Sequence, residues 1–251
     1  MTNGSIAIDV LNQFLSYPLN SADKILSKFS GLPGAIPGGT GLQRFVFVKG
    51  NRENRVLLVA HADTYWDSQY GRKINGIHDP IEHNGVMKNE DCGLGADDRA
   101  GCAIVWLLKD MGHSILITNG EERGRKGSNY LMDKHFDIAN TINNDHQFVV
   151  QFDRKTATDF KCYNVGTDSF RQYIISTTQY SEPDRCSFTD IVTLCRAVCG
   201  VNLSIGYHDE HTPGEYLVVD EWLNTLTICR EWLSAPQLPR LDLHAATQPN
   251  N

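Results

Sequence analysis

Five places in the sequence combine acids and histidines in patterns that can do chemistry. The first is His61-Ala62-Asp63, directly after the apolar run VLLVA. In an extended segment, side chains two apart point the same way. His61 can therefore bind a metal while Asp63 holds its other ring nitrogen and fixes the tautomer. The second is Asp97-Asp98 in GLGADDRAG, and the third is Glu121-Glu122 in ITNGEERGRKGS. Asp153 in QFDRK is the fourth, and His208 with His211 in GYHDEHTPGEY is the fifth. Each has an ordinary explanation alone, since acids at a helix start favour its dipole and can cap it. Five such clusters in one chain are harder to dismiss.

The elements that must position these residues alternate along the chain. Apolar spacing predicts helices over 5–16, 21–29, 98–110, 127–134, 188–199 and 219–233. Strands are expected at 45–48, 56–60, 114–118, 147–152 and 201–206. The breaker-rich stretch 32–41 reads as a loop, and 64–92 as a long polar one. Alternation of this kind implies an α/β sheet with helices on both faces. The clusters follow successive elements, so they converge on the carboxyl edge of the strands, where such sheets bind ligands.

The order H-x-D, D-D, E-E, D, H resembles the co-catalytic di-zinc exopeptidase superfamily. The likeness is to compact zinc aminopeptidases related to bacterial leucyl aminopeptidase. EERGRKGS fits the pattern E-E-x-G-x-x-G-S in every specified place. HTPGEY is similar to the terminal-histidine motif of larger carboxypeptidase and tripeptidase relatives. The resemblance spans residues 55–217. It implies a three-layer α/β/α sandwich around a central mixed, mostly parallel sheet, in one catalytic domain over 1–251.

It also implies a site. His61 and Asp153 would hold one zinc ion, Glu122 and His211 a second, and Asp97 would bridge them, with cobalt or manganese as substitutes. Mixed histidine and carboxylate donors suit zinc. Glu121 would be the general base, with Asp63 completing the catalytic set behind His61. The Asp97–Asp98 peptide bond would be cis, with Asp98 accepting backbone hydrogen bonds. The motif favours His211 over His208, which would then be a pocket-wall residue. The spacing leaves no room for a lid or dimerisation domain, so the site is expected to be open. The oxyanion-assisting lid histidine has no counterpart, which leaves Tyr207, His208 and Tyr180 as candidates. The 64–92 loop is expected to form one rim of the cleft with Trp66, Tyr70, His78 and His83.

The implied reaction is hydrolysis of an amide bond, foremost removal of a terminal residue from a peptide. A deacylase acting on a non-peptidic amide is the near alternative, and an inactive binding module is the distant one. Composition limits the other classes. The chain has 251 residues, 41% hydrophobic and 21% charged, enough for a sizeable core. A formal charge of -7 disfavours nucleic acid as a partner, and the resemblance implies a peptide or small amide substrate. No apolar run approaches the roughly 18 residues of a membrane span. The start lacks a basic n-region and an unbroken apolar stretch. The 7 cysteines are odd in number and irregular in spacing, a poor disulfide framework. A cytoplasmic location is expected from these features. Cys195 and Cys199 fall on one face of the expected helix, most simply as buried thiols. The proline-containing tail over 235–251 is expected to be partly mobile, and nothing sets the oligomeric state.

Overall fold

The computed structural model describes residues 3–66, 78–184 and 188–243. The chain opens with two helices, α1 (Asn3–Leu15) and α2 (Ala22–Ser30). Strands β1 (Ala35–Gly38), β2 (Phe45–Val48) and β3 (Leu57–His61) follow. Next come the short β4 (Ile81–His83) and β5 (Val86–Lys88), then α3 (Ala96–Leu108) and β6 (Ser114–Thr118). Helices α4 (Lys126–Lys134) and α5 (Phe136–Asp145) lead to β7 (Val149–Arg154) and β8 (Phe160–Lys161). The last part runs α6 (Asp168–Thr178), α7 (Asp190–Leu194), β9 (Gly200–Ser204), β10 (Tyr207–His208), β11 (Tyr216–Val218) and α8 (Val219–Leu233).

Seven strands form the central sheet in the order β1-β2-β6-β3-β7-β9-β8. Its middle, β6-β3-β7-β9, is parallel, and the outer strands are antiparallel. Strands buried on both faces read as continuous apolar runs, which is why SILIT and VLLVA are so legible. Alternate residues serve opposite layers. Leu58, Ala60, Ile115, Ile117, Val150 and Phe152 pack with α1, α2, α3, α6 and α8. Leu57, Val59, Leu116 and Val149 pack with α4, α5 and α7. The α/β/α layering implied by the sequence is the one observed. Gly101 lets α3 close onto the sheet: a Cβ there would lie 2.0 Å from the Phe152 carbonyl oxygen.

Four differences from the sequence reading have identifiable causes. β1 lies inside the expected 32–41 loop, where Pro37 is tolerated because the strand is at the sheet edge. The expected 64–92 loop contains the hairpin β4–β5, turned at Asn84-Gly85 with φ of 52° and 77°. Two residues at positive φ are the mark of a type I′ turn, and Asn-Gly is its signature. The hairpin joins β11 and β10 in a second, four-stranded antiparallel sheet. The expected 188–199 helix stops at Leu194. The Asn143 side chain donates to the Leu194 carbonyl and accepts from the amides of Arg196 and Ala197, ending the helix. Cys195 and Cys199 therefore share no helical face, although both are buried.

Helices α5 and α6 go beyond the sequence reading; α6 is rich in Ile, Ser and Thr, poor helix formers, and starts from a Thr167 hydroxyl that accepts from the Phe170 amide. Residues 235–243 are tied down: Arg52 donates to the Ala235 carbonyl, Cys199 N to Leu241 O, and Leu238 is buried. No helix among the described residues is long and apolar enough to cross a membrane.

Two buried histidines couple this frame to pH. The Val56 amide donates to His113 Nδ1 at 3.2 Å, and His113 Nε2 donates to the Leu233 carbonyl at 3.0 Å, a pattern only the neutral ring satisfies. Burial, with Arg52 nearby, lowers His113 from 6.5 to about 4, and burial with Arg55 does the same for His146. Both folded-state values are depressed, so at these two rings the folded protein binds fewer protons than the unfolded chain. The stability these two rings contribute is full above about 6.5 and is lost as pH falls toward 4. Comparing urea unfolding of the wild type with a variant lacking one ring is expected to isolate this loss, at up to about 1.4 kcal/mol per pH unit per ring. His113→Gln removes one proton's share of the slope; an unchanged slope would contradict the assignment.

Candidate active site

The parallel strands deliver their chemistry at one edge. β3 ends in His61, β6 runs into the turn carrying Glu121 and Glu122, and β7 carries Asp153. Since β6 and β7 flank β3, these residues meet around His61. Asp97 and Asp98 arrive from the start of α3, where both have non-helical dihedrals and are joined by a cis peptide bond. His211 comes from the β10–β11 connection. Left-handed backbone at Asp209 (φ 53°) and His211 (φ 64°) turns its ring toward the sheet edge.

Asp97 lies at the centre. Its Oδ1 is 3.2 Å from His61 Nε2, which is also 3.5 Å from Asp153 Oδ1. Its Oδ2 is 3.1 Å from His211 Nε2, which is also 2.9 Å from Glu122 Oε1. The two oxygens of one carboxylate thus face two separate groups, each with one imidazole and one further carboxylate. A cavity of about 350 Å³ opens on them, lined also by Glu121, Tyr163, Phe188, Thr189, Tyr207 and Glu210.

The remaining acids are occupied by the scaffold. Asp98 accepts from the amides of His61 (2.9 Å) and Gly101 (3.1 Å). Its carboxylate is also within reach of His61 and Asp153, but these bonds aim it at the backbone. The Asp63 carboxylate accepts from the amides of Glu121 and Glu122, both at 3.2 Å, and so sets the turn that presents them. His61 Nδ1 is closer to the Asp63 carbonyl (3.0 Å) than to its carboxylate (3.5 Å), so the backbone is the nearer partner to the ring.

Several residues the sequence reading did not single out orient this set. Glu215, fully buried, accepts from the amides of Gly95 (2.7 Å) and Asp97 (3.1 Å) and ties the His211 segment to Asp97. It stands in the quoted HTPGEY motif, the one signal that pointed to it. Thr189 (2.6 Å) and Gln151 (3.0 Å) both donate to Asp153 Oδ2. His208 pairs with Glu221 at 2.7 Å and stacks on Tyr216, away from the cavity. Of the three oxyanion candidates, Tyr207 alone lines the cavity, and Tyr180 is bonded to Thr225. Of the expected 64–92 rim, Tyr65 stacks on His211 and Trp66 meets Tyr65 edge-on, and residues 67–77 lie outside the described residues. His78 bonds the Leu94 carbonyl, His83 is exposed on β4, and Tyr70 lies outside the described residues.

Burying so many acids raises their proton affinity. Burial, with Asp97 adjacent, lifts Glu122 to about 7, and burial with Asp153 nearby holds Glu121 well above the carboxylate range. Burial works against protonation of both imidazoles, yet the carboxylates win: Asp97 and Glu122 hold His211 at about 11, and Asp153 with its neighbours keeps His61 raised. Asp97 is held low by the same two histidines, against its burial. Histidines of raised pKa thus flank Asp97 on both of its oxygens, and donor atoms of His61, Asp97 and Glu122, and of His61, Asp98 and Asp153, lie close enough together to hold a metal ion. Histidine nitrogen and carboxylate oxygen are donors that fit a divalent cation, whose charge would replace those protons.

No family model and no curated protein matches the sequence. Solved structures do match the fold. A tripeptidase from Staphylococcus aureus superposes with a TM-score of 0.68 at 12% identity, over 94% of this chain and 99% of that one. Aminopeptidase PepT from Bacillus cereus gives 0.62 at 12%, over 90% and 96%. The TET1 peptidase of Pyrococcus horikoshii gives 0.59 at 13%, over 88% and 97%. The chain shares the fold of these three structures.

The charge balance of the site predicts stabilisation by metal. Zinc, cobalt or manganese at about a hundred times the dissociation constant should add about 2.7 kcal/mol per site. For a chain of this size that is a rise of about 5–10 °C in melting temperature. Asp97→Asn should abolish most of the rise. A wild-type melting temperature indifferent to all three metals would refute the fit.

Proposed function

We propose that the protein is a metal-dependent exopeptidase of aminopeptidase type that hydrolyses an amide bond at the end of a peptide. The observation that carries this is the placement of Asp97 between the His61–Asp153 and His211–Glu122 groups, with Glu121 on the same cavity. His61, Asp153 and Asp97 would hold one zinc ion; Glu122, His211 and Asp97 would hold the other. Bound there, two divalent cations polarise a carbonyl and lower the pKa of water.

The chain's own residues supply the rest. The Glu121 carboxylate takes the proton from the attacking water and returns it to the departing amine nitrogen as the C–N bond breaks. Asp63 presents Glu121 and Glu122 through their backbone amides, so that adjacent side chains serve different ends. Thr189 and Gln151 occupy one oxygen of Asp153 and leave Oδ1 toward His61. Tyr207, whose hydroxyl donates to Asp153 Oδ1 at 3.4 Å, lines the cavity and would be the donor to a substrate carbonyl oxygen.

The two glutamates separate in a paired test. Glu121→Gln should keep both metals by elemental analysis while peptide turnover falls by about 10²–10⁴-fold. Glu122→Gln should instead weaken one metal, with partial rescue by excess zinc. Metal loss in Glu121→Gln together with full retention in Glu122→Gln would reverse the roles. A panel of aminoacyl, carboxy-terminal and N-acyl substrates distinguishes the aminopeptidase from a deacylase, and a protein inert to all of them would be a binding module.

A further inference from the structure

The two histidines beside Asp97 are held by different means. His61 is almost wholly buried, and its Nδ1 lies 3.0 Å from the Asp63 carbonyl, so a hydrogen bond sets the ring. His211 has a side chain 38% exposed, and both of its close carboxylate partners approach Nε2. Among the described residues no hydrogen bond reaches its Nδ1. What confines this ring is Tyr65, stacked on it with centroids 4.3 Å apart and planes 13° from parallel. Trp66 meets Tyr65 edge-on at 5.5 Å and 87°. The indole in turn covers Gly93, where a Cβ would come within 2.2 Å of Nε1. Gly93 leads into the segment that carries Asp97, so the aromatic stack is seated on the same loop as the acid that His211 faces.

We propose that Tyr65 is a positioning residue for His211, fixing by ring stacking what the bond to the Asp63 carbonyl fixes for His61. The proposal rests on the two-cation reading above. A flat ring against the imidazole limits its tilt and leaves both nitrogens free, which suits a ligand on a half-exposed connection. Binding at the His211 side of Asp97 depends on this stack, and binding at the His61 side does not. Loss of an orienting partner costs a metal ligand about 10–100-fold in affinity.

Calorimetric titration of the full-length, metal-stripped protein with zinc reads both sites without using activity. Tyr65→Phe keeps the ring and should bind both ions as the wild type does. Tyr65→Leu and Tyr65→Ala should weaken the second ion about 10–100-fold and leave the first unchanged. If Tyr65→Ala does not fold, the Leu and Phe variants carry the comparison. The proposal is overturned if Tyr65→Leu binds like the wild type, if Tyr65→Phe loses the second ion, or if both sites weaken together. His211→Ala reports on the underlying reading. Should it still bind two ions, the two-cation centre is wrong and the role of Tyr65 falls with it; should it bind one, the Tyr65 series decides the proposal by itself.

Discussion

The organising constraint is the crowding of negative charge beneath one edge of the sheet. Asp63, Asp97, Asp98, Asp190 and Glu215 are buried, and Glu121, Glu122 and Asp153 share the same neighbourhood. Withdrawing a carboxylate from water costs several kcal/mol unless hydrogen bonds or opposite charge replace the solvent. The structure answers this in two ways. Asp63, Asp98 and Glu215 take pairs of backbone amides, and Asp190 takes the hydroxyls of Thr118 and Ser128. Asp97, Glu121, Glu122 and Asp153 remain on the cavity. The partners therefore sort the acids into those that build the frame and those that face a ligand.

The frame acids connect the elements that carry the others. Asp98 joins the start of α3 to the end of β3, Asp63 joins β3 to the glutamate turn, and Glu215 joins the His211 segment to Asp97. Each link is made by a buried carboxylate on rigid backbone, so the cavity groups are placed before any ligand arrives. Such preorganisation is what proton transfer and charge stabilisation demand of a catalytic site. His211 is the exception, sitting on an irregular connection and braced by an aromatic face.

What could be read from the sequence follows from range. His61 and Asp153 were legible because each sits in or just beyond an apolar strand, and strand ends on one sheet must converge. The cis bond at Asp97–Asp98, which is present, and the preference for His211 over His208 came from the motif resemblance, and His211 is the one of the two that lies beside Asp97 and Glu122. The anchoring of Asp63 on the glutamate turn, the bonds of Thr189 and Gln151 to Asp153, and the Tyr65 stack were not legible. Each depends on a partner brought close only by the folded sheet, and local pattern carries no trace of it. The early end of α7 has the same origin, since it is set by Asn143 on α5.

The central claim is that Asp97 joins two cation sites. The most direct measurement is anomalous diffraction at the zinc edge from crystals of the zinc-loaded protein. The account predicts two peaks on either side of the Asp97 carboxylate, one against His61 and Asp153 and the other against Glu122 and His211. A single peak, or a pair joined through Asp98 with Asp97 turned away, would contradict it.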